Sequence, residues 1–342
     1  MTTAYTTDPR FALHTDATHP EHAGRLDAIE RALAAAELPD RLLHVAPRMP
    51  AAEDLLAVHS REHLARLEAT RGRPAGWLDP DTYVTPHSDE VARLAAGAVL
   101  ALTDAVLGGE AGNGLAAVRP PGHHATPTRA MGFCLLNNVA IAARYAQRAH
   151  GIGRVAIVDY DVHHGNGVQE TFYADPSVLY ISTHQSPLYP GTGAMFEAGA
   201  GAGQGTTVNV PLPPGVGDTG YRAAFDRVIA PALRRFAPDV LFASVGFDAH
   251  WADPLAQMAL SLSGYDTLTR KLVDLAGELC AGRLIVVLEG GYHLPALAAG
   301  WANTVRALLG DSECVDPLGP ARSAEPDVSA VLERIHEAHN LP

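Results

Sequence analysis

The chain has 342 residues, of which 47% are hydrophobic, enough to bury a large core. Its 25 Lys and Arg residues against 38 Asp and Glu residues give a formal net charge of -13, which disfavours binding to nucleic-acid phosphates. No uninterrupted apolar stretch reaches the length of a membrane span, and the first residues lack a basic region followed by an apolar one. We therefore expect a cytoplasmic protein without membrane attachment.

Short apolar runs alternate with longer helical patterns along the middle and the C-terminal part of the chain. Strands are predicted at residues 114–118, 154–159, 177–183, 206–210, 239–246 and 283–289. Helices are predicted at residues 89–108, 137–149, 219–236, 263–281 and 295–309. Ser263, with Asp266 three residues later, predicts a capping box at the start of the fourth of these helices.

This alternation indicates an α/β fold, with three layers (α/β/α) around a central, mainly parallel sheet. The predicted strands are continuously apolar, as is typical of strands that helices cover on both faces. The Pro- and Gly-rich stretches between them are short and indicate loops, so we expect residues 1–342 to form a single domain. In such folds ligands bind at the carboxyl ends of the strands, which is where we look for a site.

The three cysteines are Cys134, Cys280 and Cys314. An odd number without CxxC spacing disfavours both a disulfide framework and a Cys-rich zinc site, and is typical of a reducing compartment. Cys134 could act as a nucleophile, but we favour a buried, apolar role for it.

Asp161 and His163 follow one predicted strand, and Asp248 follows another. Side chains at positions i and i+2 of an extended segment point to the same side, so the first two could bind one ion. Asp248 could supply a third ligand. Two carboxylates and one imidazole leave a coordination position open, which is typical of a catalytic metal site.

Further polar side chains follow the other strand ends. His123 and His124 suit proton transfer near neutral pH, and Asp159 and Asn166 are candidate partners that would fix their tautomers. Tyr292 follows two glycines after the last strand. Its phenol could donate a hydrogen bond to the oxyanion of a tetrahedral intermediate.

The motifs at these positions resemble those of the histone deacetylase family, within the arginase/deacetylase superfamily. The resemblance covers about His19 to Leu309, and its motifs are RPPGHHA, MGFCLLNNVAIAA, VAIVDYDVHHGNGVQ, ISTHQSPLYPGTG, SVGFDAHWADPL and LEGGY. Asn166, where one major branch of the family has Asp, resembles the class II and bacterial deacetylase-like branch.

The resemblance implies a hydrolase that removes acetyl groups from lysine side chains of proteins or peptides, with zinc or ferrous iron as the metal. It implies metal ligands at Asp161, His163 and Asp248. It implies that His124, paired with Asn166, is the general base and acid, that His123, paired with Asp159, is its electrostatic partner, and that Tyr292 polarises the acetyl carbonyl.

The resemblance also assigns substrate contacts and a second ion. Phe133 and Tyr189 would form the aromatic walls of an acyl-lysine tunnel, although the family more often has Phe at the second position. The Gly132 carbonyl would accept the substrate amide N–H, and Arg25 would line an inner cavity. A structural potassium would be bound by main-chain carbonyls and side-chain oxygens of Asp159, Asp161, His163, Ser182 and Thr183.

Three alternatives stay open from the sequence. An acetylpolyamine amidohydrolase would use the same chemistry; polyamine-selective relatives place an acidic residue where Leu255 stands here, but another rim acid such as Asp81 could replace it. An arginase-like enzyme would bind two manganese ions. A non-catalytic acetyl-lysine binding module would lack a ligand or the tyrosine, and none is missing here. The sequence also leaves the oligomeric state open.

Overall fold

The computed structural model describes residues 2–341 of the chain. Its strands are β1 (Thr3–Thr6), β2 (Leu43–His44), β3 (Gly76–Trp77), β4 (Tyr83–Val84), β5 (Asn113–Ala116), β6 (Val155–Asp159), β7 (Val178–Gln185), β8 (Thr207–Leu212), β9 (Val240–Val245) and β10 (Leu284–Leu288). Its α-helices are α1 (Gly24–Ala35), α2 (Ala52–Leu56), α3 (Arg61–Glu68), α4 (Ser88–Leu107), α5 (Asn138–His150), α6 (Asn166–Phe172), α7 (Asp218–Ala224), α8 (Ala230–Phe236), α9 (Leu262–Cys280), α10 (Leu294–Leu309) and α11 (Ser329–Ala338). A π-helical turn, Phe225–Ile229, joins α7 to α8.

The main sheet has eight strands in the order β2-β1-β5-β10-β9-β6-β7-β8, and every pairing in it is parallel. Helices α1, α10, α9 and α7 pack side by side in one layer, while α4 and α5 pack together in another. The inner strands are buried along their whole length, because helices cover both of their faces. The predicted three-layer α/β/α fold with a parallel sheet is confirmed.

The predicted strands and helices agree with the observed ones to within a few residues. The predicted capping box at Ser263 is wrong: α9 begins at Leu262, and its N-cap is Ser261, whose hydroxyl accepts a hydrogen bond from Gly264 N. Ser261 has the extended backbone conformation that an N-cap requires, whereas Ser263 already lies inside the helix and contacts Asp316. Asp266 instead pairs with Arg270 on the next turn.

The ends of five neighbouring strands lie at the same level. Strand pairing places Ala116 opposite Val287, Val287 opposite Ser244, Ser244 opposite Asp159, and Asp159 opposite Ser182. The loops that follow β5, β10, β9, β6 and β7 therefore leave the sheet side by side. Within residues 2–341, no helix is both long and apolar enough to cross a membrane.

Candidate active site

Asp161, His163 and Asp248 meet at this edge of the sheet, as the sequence predicts. One potential ligand atom from each lies within 4.8 Å of the other two, and all three residues are buried. Nδ1 of His163 lies 3.1 Å from Asp161 Oδ1 and 3.2 Å from Asp248 Oδ2. Burial lowers the pKa of His163, but the two carboxylates beside its ring outweigh this and raise the pKa to about 10.

This cluster fits a divalent cation such as zinc. Asp248 Oδ2 is buried and accepts no backbone hydrogen bond, and it lies 3.2 Å from His163 Nδ1, whereas its other oxygen accepts a hydrogen bond from Val162 N at 3.0 Å. A buried carboxylate oxygen without a donor is costly unless a cation neutralises it. Backbone N–H groups orient the second carboxylate: Asp161 Oδ2 accepts from Gly290 N at 2.7 Å, and Asp161 Oδ1 accepts from His163 N at 2.9 Å.

Two glycines make room for the carboxylates. A Cβ atom on Gly246 would lie 2.0 Å from Asp161 Oδ2, and one on Gly290 would lie 2.1 Å from Asp248 Oδ2. Both positions therefore exclude any larger residue unless the carboxylates move.

His123 and His124 follow β5 and stand beside the cluster with different partners. His123 Nδ1 lies 3.1 Å from Asp159 Oδ2, a carboxylate that also accepts a hydrogen bond from the Tyr180 hydroxyl. His124 Nδ1 lies 2.8 Å from Asn166 Oδ1. The structure thus brings together both predicted pairs, His123 with Asp159 and His124 with Asn166.

The two histidines differ in pKa because their partners differ in charge. Burial lowers the pKa of His123, but the carboxylates of Asp159 and Asp161 raise it to about 10. Burial and then the neighbouring His123 hold the pKa of His124 well below its ordinary value. His123 therefore favours the imidazolium form, and His124 favours the neutral form that can accept a proton.

A pocket of about 220 Å³ leads to these side chains. Its walls are Asp81, Pro121, His123, His124, Gly132, Phe133, His163, Leu188, Tyr189, Leu255, Gly290 and Tyr292. Phe133 and Tyr189 both belong to this wall, as predicted. The rings of Phe133 and Tyr292 pack edge to face with centroids 5.8 Å apart, and Tyr189 packs in the same way on His124 at 5.2 Å.

Gly132 and Phe133 adopt positive φ angles of 56° and 67°. A Cβ on Gly132 would lie 2.4 Å from the His124 ring, so the close approach of backbone and imidazole requires glycine. Gly132 N donates to Asp81 Oδ1 at 3.1 Å, and Phe133 N donates to the Thr82 hydroxyl at 3.1 Å. Asp81 thus holds the Phe133 segment as well as lining the pocket.

Arg25 lies beside the pocket rather than in its wall. Its fully buried guanidinium lies 5.1 Å from the centre of the Tyr292 ring. It donates to the main-chain oxygens of Gly291 at 2.8 Å and Glu289 at 2.6 Å, and it pairs with Glu21 at 3.2 Å. Arg25 thus contacts the backbone of the segment that carries Tyr292, and its role at an inner cavity stays a prediction.

The residues expected to bind potassium lie on two paired strands. Asp159 on β6 is the register partner of Ser182 on β7, and the hydroxyl of Thr183 donates to the main-chain oxygen of Asp159 at 3.4 Å. Asp161 and His163 follow directly along the chain. The Thr183 hydroxyl thus lies beside the main-chain oxygen of Asp159, while the Ser182 hydroxyl lies 2.9 Å from His184 Nδ1.

Glu289 is a buried residue at the site to which the sequence assigned no role. Its Oε2 atom accepts hydrogen bonds from Gly122 N at 2.7 Å and His123 N at 3.1 Å. Burial raises the pKa of this carboxyl to about 7. It ties the end of β10 to the segment that carries the two histidines, a contact between residues 166 positions apart that no local pattern could reveal.

Comparison with known proteins agrees with this arrangement. The histone deacetylase domain family matches residues 19–308 of the chain. A rice (Oryza sativa subsp. japonica) protein, "Histone deacetylase 10, chloroplastic", is 42% identical over 98% of this chain and 80% of its own length. A "Probable deacetylase" of Archaeoglobus fulgidus is 44% identical over 81% of this chain and 77% of its own length.

Solved structures are similar over the whole fold. The crystal structure of the HDA15 HD domain superposes with a TM-score of 0.90 and 41% sequence identity, covering 99% of this chain and 95% of that one. The chain belongs to the histone deacetylase family, whose members are hydrolases of amide bonds.

Proposed function

We propose that the protein is a zinc-dependent deacetylase that hydrolyses the acetyl amide of acetylated lysine side chains. The observation that supports this most strongly is the meeting of three ligand atoms within 4.8 Å at the pocket, beside an imidazole whose Nδ1 faces the Asn166 amide. A zinc ion held by Asp161, His163 and Asp248 would polarise the acetyl carbonyl and lower the pKa of a water molecule to about 7.

Three side chains at the site have different roles in proton transfer and charge stabilisation. His124 is neutral, so its Nε2 accepts a proton from the attacking water while Nδ1–H donates to Asn166 Oδ1. His123, charged through its pairing with Asp159, places positive charge next to the developing oxyanion. The Tyr292 hydroxyl donates to the same oxygen. His124 afterwards gives its proton to the leaving lysine amine, which balances the reaction.

Recognition of the substrate falls to the pocket walls. Phe133 and Tyr189 enclose the methylenes of the lysine side chain, because aromatic faces bury apolar surface. The Gly132 main-chain oxygen accepts the N–H of the scissile amide. A bound potassium at Asp159, Asp161, His163, Ser182 and Thr183 would stiffen the loop after β6, which carries two of the three metal ligands.

Acetylpolyamines are a second candidate substrate class because Asp81 lies at the pocket wall. Its Oδ1 atom already accepts hydrogen bonds from Gly132 N and the Thr82 hydroxyl, so Oδ2 is the oxygen that an amine would contact. Leu255, at the same wall, offers no charge. The uncharged Leu255 favours acetyl-lysine over acetylpolyamine. The cytoplasmic location expected from the sequence stays a prediction.

The arginase-like alternative needs further ligands near His164. Both ring nitrogens of His164 have protein partners: Nδ1 lies 2.7 Å from the Thr192 hydroxyl, and Nε2 lies 2.9 Å from Gln169 Oε1. A stoichiometry of one metal per chain is therefore expected.

The test uses the purified protein with an acetyl-lysine peptide and with N-acetylputrescine, together with metal analysis. Chelation should abolish turnover and zinc should restore it, with the peptide the better substrate. Asp248→Asn should lose metal and activity. Asp239→Asn is the matched control, because Asp239 directly precedes β9, at the end opposite to Asp248, and its carboxylate accepts hydrogen bonds from Gly153 N and Arg154 N. Turnover that persists after exhaustive chelation would contradict the proposal, as would a content of two metals per chain.

A further inference from the structure

Asp253 connects two loops at the pocket through a single buried carboxylate. Its Oδ2 atom accepts hydrogen bonds from the main-chain N–H groups of Tyr292 at 2.7 Å and His293 at 3.0 Å. Its Oδ1 atom accepts from Leu255 N at 3.0 Å. Leu255 belongs to the loop after β9 and Tyr292 to the loop after β10, and both line the pocket. One carboxylate thus fixes the wall residue and the phenol relative to each other.

The other contacts of the Tyr292 segment are complementary to this one. Arg25 donates to the main-chain oxygens of Glu289 and Gly291, and Asp253 accepts from the main-chain nitrogens of the next two residues. Gly291 has a φ of 111°, and a Cβ there would lie 2.9 Å from Phe247 Cβ, so the segment turns sharply. Arg25 and Asp253 therefore bind the C=O and the N–H of the same Gly291–Tyr292 peptide group, and each binds a second peptide group of the segment as well.

The chemistry of Asp253 requires a carboxylate. All three of its partners are N–H donors, and the side chain is 6% exposed. An amide in its place has one oxygen acceptor and would turn its NH₂ group towards at least one backbone N–H. Two facing donors in a buried site leave both unsatisfied, which moves the backbone apart.

We propose that Asp253 is a positioning residue, which holds the Tyr292 hydroxyl at the acetyl oxygen and keeps it in register with Leu255 at the pocket wall. Asp253 acts through the main chain of Tyr292 and touches no substrate atom. This inference rests on the proposed deacetylase function. If Asp253 acts in this way, removing its carboxylate slows the reaction only while the Tyr292 hydroxyl is present to take part in it.

A double-mutant cycle with Asp253→Asn and Tyr292→Phe tests the proposal. Misplacement of a reacting group by about 1 Å costs on the order of 100-fold, so we expect Asp253→Asn to lower kcat by roughly 10- to 100-fold with a smaller change in KM. In the Tyr292→Phe background the same substitution should lower kcat by no more than about twofold, because no hydroxyl remains to be positioned. Zinc content should stay at the wild-type level in all four proteins.

A merely structural role gives a different result. Asp253→Asn would then lower kcat by the same factor in both backgrounds, and that outcome overturns the proposal. So does full kcat in the single variant. If Asp253→Asn yields no folded protein, Asp253→Ser, which is smaller and keeps an oxygen acceptor, replaces it in the same cycle. A loss of kcat confined to the background with Tyr292 supports the proposal, and an equal loss in both backgrounds overturns it.

Glu325→Gln is the matched control. Glu325 also accepts three main-chain N–H bonds, from Gly217, Thr219 and Gly220 at 2.9–3.0 Å, and none of these donors belongs to the Tyr292 segment. This variant should lower the melting temperature while leaving kcat unchanged. If the wild-type protein cleaves no acetyl amide, the proposed function itself fails and the role of Asp253 fails with it. An active wild type with an additive cycle removes only the role of Asp253.

Discussion

The imidazole rings of His123 and His124 lie with their centroids 4.0 Å apart, but their Nδ1 atoms face a carboxylate and an amide respectively. Adjacent residues of the same type thus acquire opposite protonation preferences from residues elsewhere in the chain. The charged His123 also disfavours a proton on its neighbour. Burial and the neighbouring His123 therefore keep His124 neutral and able to act as a base, and the uncharged Asn166 brings no carboxylate that would reverse this.

The acid limb of the pH profile should reveal this arrangement. A protonated His124 accepts no proton, so activity falls as the pH drops through its pKa. Because burial and His123 lower that pKa, the limb of kcat/KM should lie below about pH 6.5, the ordinary imidazole value. Asn166→Asp places a negative charge beside Nδ1 of His124. This charge should raise the pKa of His124 and move the acid limb to higher pH. An unmoved limb in Asn166→Asp would remove His124 as the titrating base.

Tyr292→Phe should fold and bind zinc at wild-type levels but lose about 10²–10³ in kcat, or roughly 3–4 kcal/mol of transition-state stabilisation. The reason is that the phenol hydroxyl is the donor to the developing oxyanion. Steady-state kinetics with an acetyl-lysine peptide measures the loss. Tyr145→Phe is the control, since its hydroxyl bonds Asp104 at 2.7 Å, away from the pocket walls. Equal kcat in Tyr292→Phe and wild type would exclude this role.

Gly290→Ala should abolish metal binding although it leaves all three ligands in place. Its Cβ would lie 2.1 Å from Asp248 Oδ2 and 2.6 Å from Asp161 Oδ2, so the carboxylates must separate. Zinc analysis after purification, and thermal melts with and without zinc, report the loss independently of activity.

Gly277→Ala provides the comparison. Gly277 lies inside α9, and a Cβ there has no neighbour within 4 Å. This variant should bind zinc normally and gain about 0.5–1 kcal/mol of stability, as is usual for Gly to Ala inside a helix. Normal zinc binding by Gly290→Ala would mean that the carboxylates have another arrangement.

Leu255→Glu should shift selectivity towards acetylpolyamines. A carboxylate about 4 Å from a substrate ammonium is worth about 1 kcal/mol in water, or roughly a fivefold change in kcat/KM. The ratio of kcat/KM for N-acetylputrescine to that for an acetyl-lysine peptide measures it, at low and high salt because salt screens the attraction. Leu255→Gln, of the same size without the charge, should change the ratio little. An equal shift in both variants would assign the effect to shape.

The sheet and the metal ligands could be predicted because their signals are local. Continuous apolar runs predict β6, β9 and β10. Because parallel strands end at the same edge of the sheet, the polar residues that follow these runs lie close together there. Strand β1 escaped prediction, since Thr3–Thr6 is short and half polar and is defined by its pairing with β5 and β2.

The supporting contacts could not be predicted for a related reason. Asp253 lies 39 positions from Tyr292, and its sequence context, Asp followed by Pro, is typical of a turn. Arg25 likewise reaches Gly291 across 266 positions, and only the folded backbone reveals that it supports the phenol. Such residues contact main-chain atoms, which are the same for almost every residue type. The sequence therefore does not indicate which segment they bind.

The position of β10 within the sheet constrains the order in which the site can be assembled. This strand is the last of the ten along the chain, but it lies between β5 and β9 near the middle of the sheet. During synthesis, Asp161, His163 and Asp248 emerge long before Gly290, whose N–H orients Asp161, and before the strand that joins the two halves of the sheet. Tight metal binding should therefore be a late step in folding. It would indicate that β10 has inserted between β5 and β9 and completed the sheet.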